Sequence, residues 1–252
     1  MPLFLGRTCG VLASAVVLTL LSSRSFADSV YTDGTFNNID WTLITEGVGI
    51  GGSASASQQP AGGNPGAYRQ VTTNVNTAGS GSSFIFAFNE KVAATYDPTV
   101  QGAITSIDYS EDSILVQGFG DGQITGIALA QNGTIYYDLD FKANSFAWTP
   151  NSETGLTSAD FLTAAYYAGG PVTHPDFSVS TAPITFGFVR VDSQAAGGGG
   201  YSIVGGIDNW SVDVHSAPLT PVTPLPSSAW SGLVLLGGIG LLTARRKFST
   251  AK

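Results

Sequence analysis

His174 and His215 are the only imidazoles in this 252-residue chain. They lie far apart, without the HExxH spacing that sets two metal ligands on one helix face. His174 falls between Pro171 and Pro175, and His215 sits on the polar side of a strand pattern, so both read as solvated. No GxSxG elbow occurs. The glycine-rich stretches have no following lysine and helix with which to cradle a phosphate. One carboxylate pair has useful spacing: Asp138 and Asp140 in "YYDLDFK". Alternate strand positions point the same way, which sets two carboxyl groups at about the separation that glycosidic cleavage uses. A solvated outer face is the plainer reading of that pair. Recognition of a sugar would instead need aromatic rings for stacking, and Trp148, Tyr166 and Tyr167 are the candidates, each equally able to serve in a core. No catalytic residue is assigned, and the chain is expected not to be an enzyme.

Charge narrows the partners. All eighteen acidic residues lie between Asp28 and Asp213, where the only bases are Arg69, Lys91, Lys142 and Arg190, a net charge of −14. Such a surface repels nucleic acid phosphates. It suits divalent cations, or simply solubility. The single cysteine, Cys9, stands in an N-terminal segment expected to be removed, so no internal disulfide is predicted.

The elements that would position any site read as strands. "IALAQNGTIYYDLDF" carries Asn132-Gly133, the dipeptide of a two-residue type I′ hairpin. After it Ile135, Tyr137, Leu139 and Phe141 alternate with Tyr136, Asp138, Asp140 and Lys142, and Ile127 and Leu129 precede it; the apolar set is assigned to one inward face. Strands near 113–119, 123–130 and 134–142, with a turn at Asp121-Gly122, are read as a meander. "SSFIFAFN" (82–89) and "PITFGFVRV" (183–191) are apolar on both faces, as in the middle of a stack. In 207–216, Trp210, Val212 and Val214 alternate with polar residues. Only 158–169 reads as a short helix, with Ser158 as its cap. The stretches 47–66 and 195–200 are flexible by composition. Many short strands between turns, without a fixed-period repeat, give an all-β fold: an antiparallel two-sheet sandwich, specifically a jelly-roll, in residues 28–216.

The ends carry an address. Residues 1–27 have Arg7, an apolar run from Val11 to Leu21 and a small-residue site at Ser25-Phe26-Ala27, the order of a secretory signal peptide. Pro218, Pro221, Pro224 and Pro226 make 217–226 a stiff linker. Within 227–252, the stretch 229–244 is charge-free, about 24 Å long as a helix at about 1.5 Å per residue. This single C-terminal transmembrane helix is followed by Arg245, Arg246 and Lys247, which mark the cytoplasmic end. The Pro224-Leu225-Pro226 motif, the short apolar helix and the basic cluster together resemble the PEP-CTERM sorting signal of bacterial exported proteins, with Leu225 in place of the usual glutamate. The resemblance implies an exosortase-type protease as partner, transient residence in the inner membrane, and release to the cell surface or extracellular space.

The body resembles, through "GIDNW" (206–210) and "DGTFNNIDWT" (33–42), the last and first strands of a carbohydrate-binding-module or concanavalin-like jelly-roll. That resemblance implies first and last strands side by side, and a structural calcium with Asp208 and Asp33 as ligands; no other cofactor is expected. "YYDLDFK" lacks the ExDxxE pattern of jelly-roll glucanases. The function expected is therefore an exported surface or matrix protein with a structural or adhesive role, associated with extracellular polysaccharide. A carbohydrate-binding module with a defined glycan site is the alternative, and a glycoside hydrolase stands last.

Overall fold

A computed structural model of the protein describes residues 28–119, 123–179 and 181–217. The expected signal peptide, the Asp121-Gly122 turn, the proline-rich linker from Pro218 onward, the sorting motif and the apolar run 229–244 lie outside the described residues. Among the described residues no helix is long and apolar enough to cross a membrane.

The described chain forms strands β1 (Ser29–Asp33), β2 (Trp41–Val48), β3 (Gly52–Gly63), β4 (Gly66–Val75), β5 (Ser83–Tyr96), β6 (Ile104–Gly118), β7 (Gln123–Gln131), β8 (Thr134–Tyr137), β9 (Phe141–Lys142), β10 (Thr149–Leu156), β11 (Ile184–Gln194) and β12 (Tyr201–Ser216). Two one-turn helices, α1 (Pro98–Gln101) and α2 (Ala164–Tyr167), complete it. Two antiparallel six-stranded sheets result. The first runs β10-β6-β12-β4-β3 with β1 also on β12; the second runs β2-β5-β11-β7-β8 with β9 also on β7. The two-sheet all-β arrangement agrees with the sequence reading. So does the adjacency of first and last strands, from Ser29↔Val214 to Asp33↔Trp210.

The Asn132-Gly133 turn forms as expected, with positive φ at both residues (52° and 76°). Its register then overturns the assignment of faces. Gln131 pairs with Thr134, so Ala130 opposes Ile135 and Ala128 opposes Tyr137. Directly opposed residues share a face. A two-residue loop pairs odd positions with even ones, so Ile135 and Tyr137 cannot lie with Ile127 and Leu129. Ile127 and Leu129 enter the core between the sheets. Ile135 and Tyr137 enter a second apolar cluster on the far side of the second sheet. Leu139 and Phe141 are only half-buried, and pack on the second and first clusters respectively.

Four further expectations are corrected. The 134–142 strand is interrupted: β8 and β9 both lie on β7, and residues 138–140 leave the ladder between them. The meander does not form, because β6 pairs with β10 and β12 in the first sheet while β7 belongs to the second. Most of 47–66 is not loop: Ser and Ala alternate from Ser53 to Ser57, small enough to pair along β4 while Ala54 and Ala56 pack on the core. The helix over 158–169 reduces to a 3₁₀ turn at Ser158–Asp160 and to α2, and the cap of the first is Thr157, in a capping box with Asp160.

The inter-sheet core holds aromatics at one level and charge at another. Trp41 stacks on Phe36 (5.4 Å), tilts against Phe188 (5.4 Å) and meets Trp210 edge-on (5.2 Å). Arg69 and Lys91 both lie over the Trp41 ring, at 5.6 and 5.3 Å. Further along β11, Arg190 and Asp192 point inward and are fully buried, with Glu111 of β6. Thr73 donates its hydroxyl to Asp192, and Tyr109 donates to Glu111 Oε2 at 2.5 Å. Gly205 leaves room for the guanidinium: a Cβ there would stand 2.5 Å from Arg190 Cζ.

Burial lifts the Glu111 carboxyl from its ordinary 4.5 to about 7, against the hydrogen bonds from Tyr109 and Thr125, the Arg190 charge and a hydrogen bond from Asn151. A carboxyl raised in this way keeps its proton in the folded state where the unfolded chain has released it. Its contribution is full below the unfolded value and is lost as pH rises through the folded one. Melting temperature measured from pH 4.5 to 7 should therefore fall less in Glu111→Gln than in the wild type; parallel curves would contradict this placement.

Candidate functional site

The outer face of the second sheet carries the site. Phe84 and Phe86 of β5, Ile124 of β7 and Val191 of β11 alternate with inward residues and leave an apolar floor. Residues 157–167 cover part of it. They are tethered where Tyr137 N–H donates to Leu162 O (2.8 Å) and Leu162 N–H to Tyr137 O (2.9 Å). The turn preceding α2 is held by Asp160, whose Oδ2 accepts from Thr157 N–H and hydroxyl. α2 then lays Tyr167 against Phe86, ring centroids 5.8 Å apart, with Tyr166 edge-on to Tyr167 at 5.4 Å.

What the cover leaves open is a cavity of about 450 Å³. Phe84, Phe86 and Tyr167 line it together with Asp138, Asp140, Glu153 and Asp160, and no lysine or arginine is among the lining residues. Asp138, Asp140 and Glu153 each place a carboxylate oxygen within 4.8 Å of the others. Asp138 and Asp140 come from the interruption between β8 and β9. Asp138 N–H still donates to Ile127 O (3.0 Å), and its carbonyl comes so close to Gly126 that a Cβ there would lie 2.0 Å from it. Gly126 is thus the position that lets the chain swing out. Glu153 arrives from the first sheet: it opposes Tyr109 across β10 and β6, just before the bulge that ends at Leu156.

Electrostatics follow from this crowding. Burial, then the charges of Asp140 and Asp160, lift Asp138 to about 6. Burial, then Asp138 and Asp140, lift Glu153 to about 8. The Asp138–Asp140 pair expected to be solvated is therefore divided: Asp140 is exposed, whereas Asp138 is 8% exposed and its Oδ2 is buried without a hydrogen-bond partner among the described residues. Glu153 and Asp160 escape sequence reasoning, since no spacing relates residue 153 to residue 138.

The remaining candidates lie elsewhere. Trp148 is half-buried, edge-on to Tyr68 at 5.4 Å, and donates its indole N–H to Gly62 O (3.0 Å). It lies against Tyr68 of the first sheet, whereas the Tyr166–Tyr167 pair lies on α2 against Phe86 of the second. Asp33 accepts from Thr35 N–H (2.7 Å) and hydroxyl (2.8 Å), Phe36 N–H (2.9 Å), Trp41 Nε1–H (2.9 Å) and the Lys91 ammonium. Against the cost of burial, these donors hold its carboxyl well below the usual range. A lysine thus meets the charge expected to face calcium. Asp208 is fully buried; Oδ1 accepts from Asn209 N–H (2.7 Å) and Oδ2 from Asn64 N–H. Neighbouring Asp112 accepts from the Asn64 (3.0 Å) and Asn209 (2.7 Å) side chains, so the β3–β4 turn is bound to a bulge in β12. His215 lies between Asp28 (3.2 Å) and Asp108 (3.1 Å), and its pKa is raised chiefly by Asp108. His174 Nδ1 contacts Phe161 O at 3.0 Å.

No family model matches the chain, and no curated protein matches it. Among solved structures it is similar to the family 11 carbohydrate-binding module of a cellulosomal cellulase of Clostridium thermocellum, at 11% identity and a TM-score of 0.41 over 77% of this chain and 99% of that one. It is also similar to a CBM22-1 xylan-binding domain from Paenibacillus barcinonensis, at 9% identity and a TM-score of 0.35 over 77% and 99% of the two chains. A protein of unknown function from Shewanella oneidensis MR-1 matches at 13% identity and a TM-score of 0.32, over 80% and 93%. The reading of the groove rests on its own residues.

If Gly126 is what admits the 138–140 excursion, Gly126→Ala should cost about 1–3 kcal/mol, as overpacking of a tight site does. Urea denaturation of the two proteins checks this, and an unchanged midpoint would contradict it.

Proposed function

We propose that the protein is an exported surface protein whose β-sandwich binds polysaccharide in the groove on its second sheet. The observation that carries this reading is the mixed lining, in which Phe84, Phe86 and Tyr167 share one cavity with Asp138, Asp140 and Glu153. A pyranose ring presents C–H faces and hydroxyl edges. Aromatic rings suit the first, and carboxylates accept hydrogen bonds from the second. The cavity falls within the roughly 300–1,000 Å³ range of small-ligand sites. Tyr166, which is 40% exposed, extends the aromatic surface beyond it.

Binding to immobilised β-glucans and xylans should be detectable with the purified full-length chain. Tyr167→Ala should weaken it about tenfold, equivalent to about 1.4 kcal/mol. Trp148→Ala, on the other sheet, should leave it unchanged. A glycan array without a hit, or equal loss in both variants, would overturn the assignment of the groove.

Export and surface release rest on the order of signals at the two ends: signal peptide, proline-rich linker, Pro224-Leu225-Pro226, apolar run and basic cluster. An adhesive role in a polysaccharide matrix follows from joining that address to a sugar-binding groove. Mass spectrometry of the protein from its native host should find peptides ending near Pro226 and none from 229–252. An intact C-terminus in the inner membrane would leave a plain anchor in place of a processed signal.

A further inference from the structure

We infer that Asp138, Asp140 and Glu153 form a binding site for a divalent cation of the calcium class at the edge of the groove, at a place distinct from Asp33 and Asp208. Two observations carry this independently of the sugar reading. The first is distance. Two oxygens bound to one calcium ion at about 2.3–2.6 Å can be at most about 4.6–5.2 Å apart. All three side chains offer oxygens within 4.8 Å of one another. Magnesium, at about 2.0–2.1 Å in a near-ideal octahedron, asks for a tighter set.

The second is the orphaned oxygen. Asp138 lines the cavity, is 8% exposed, and has its Oδ2 buried without a partner among the described residues. A buried acceptor left unpaired costs about 1–3 kcal/mol, more when charged. No lysine or arginine lines the cavity: Arg69 and Arg190 are enclosed between the sheets, Lys91 is paired with Asp33 and Asp40, and Lys142 stands exposed on β9 opposite Ile124. Two arrangements relieve the site. Either Asp138 and Glu153 share a proton, which agrees with the raised pKa of both, or an ion sits among the oxygens. The site faces an open cavity, so an ion can enter without unfolding the chain.

Three carboxylates supply three to six of the six to eight oxygens that calcium takes. The cavity side leaves the remaining positions to water or to hydroxyls of a bound ligand. The backbone supports this arrangement: Asp140 is exposed at the interruption between β8 and β9, and Glu153 stands at a bulge, so each has freedom to turn toward an ion.

The test is calorimetric titration of calcium chloride into the full-length, EDTA-treated protein, with melting curves on the same samples. Saturable binding to this site and a melting temperature that rises with calcium concentration are expected, as for any ligand held only by the folded state. Asp138→Asn, which keeps the shape, and Glu153→Gln should each weaken binding at least about tenfold, that is by about 1.4 kcal/mol; Asp208→Asn should retain it. The two groove variants should melt no lower than the calcium-free wild type, since each removes a charge from a crowded set. Absence of binding in the wild type would overturn the site and leave the shared proton. Binding that survives both groove variants but fails in Asp208→Asn would place the ion in β12 instead. Because no glycan is present, failure here leaves the polysaccharide reading untouched.

Discussion

A strand apolar on both faces must be covered on both, and the second sheet contains three of them. β5, β7 and β11 send Ala87, Ile127, Leu129, Phe186 and Phe188 toward the first sheet, and Phe86, Phe88, Ala128, Val189 and Val191 the opposite way. At about 25 cal/mol per Å² of apolar surface removed from water, leaving that second row bare would forgo a large part of the fold's driving force. The chain answers with β8, the 157–167 segment and α2. The cover is thin: α2 is one turn, and two backbone hydrogen bonds at Tyr137 and Leu162 tie the segment down. A thin cover over a broad apolar sheet leaves a groove, and the groove's rim is the covering chain itself. Asp138, Asp140 and Asp160 are rim residues for that reason.

The acidity of the rim has a second cause in the interior. Of the four bases between Asp28 and Asp213, Arg69 and Arg190 are buried and Lys91 is largely so. Each compensates something inside. Arg69 donates to Asn89 at 2.7 Å beside Trp41, Lys91 meets Asp33, and Arg190 faces Asp192 and Glu111. A buried charge is tolerable only with partners, and for Lys91 and Arg190 these partners are carboxylates. Only Lys142 remains on the exposed surface. Three of the four bases are thus taken up by the core, and the groove is lined without a lysine or arginine.

Much of the fold was legible from local rules. Asn132-Gly133 named its turn type, the double-sided runs 82–89 and 183–191 named the middle strands of a sheet, and Trp210, Val212 and Val214 named the inner face of the last strand. What failed was parity. Period two identifies which residues share a face but not which face it is, and only the pairing Gln131↔Thr134 decides that. The ordered hairpin of 47–66 was hidden because composition speaks for flexibility where alternation of small residues speaks for a strand. The site was less legible than the fold. Asp138 and Tyr167 were visible as residue types with a use, but Glu153 reaches them from the other sheet. Gly126 was the one local signal, a glycine inside a strand pattern where another stretch of backbone comes close.

The two aromatic surfaces that sequence offered are not equivalent in chemistry. Trp148 lies with Tyr68 on the outside of the first sheet, its indole N–H already committed to Gly62 O and its neighbour Tyr68 bonded to Gln70 at 3.2 Å. Its surroundings supply a ring but no free acceptor set. Tyr167 packs its ring against Phe86 and lines the same cavity as the carboxylates, where burial, and after it the Asp138 charge, raise its phenol to about 12. A ligand that is apolar on its faces and rich in hydroxyls at its edges finds both requirements met only in the second setting. The same juxtaposition follows from the two constraints above: a second sheet that is apolar on its outer face, and a core that has enclosed the bases. Neither constraint refers to a ligand, and together they produce a groove with an apolar floor and acidic side chains in its lining.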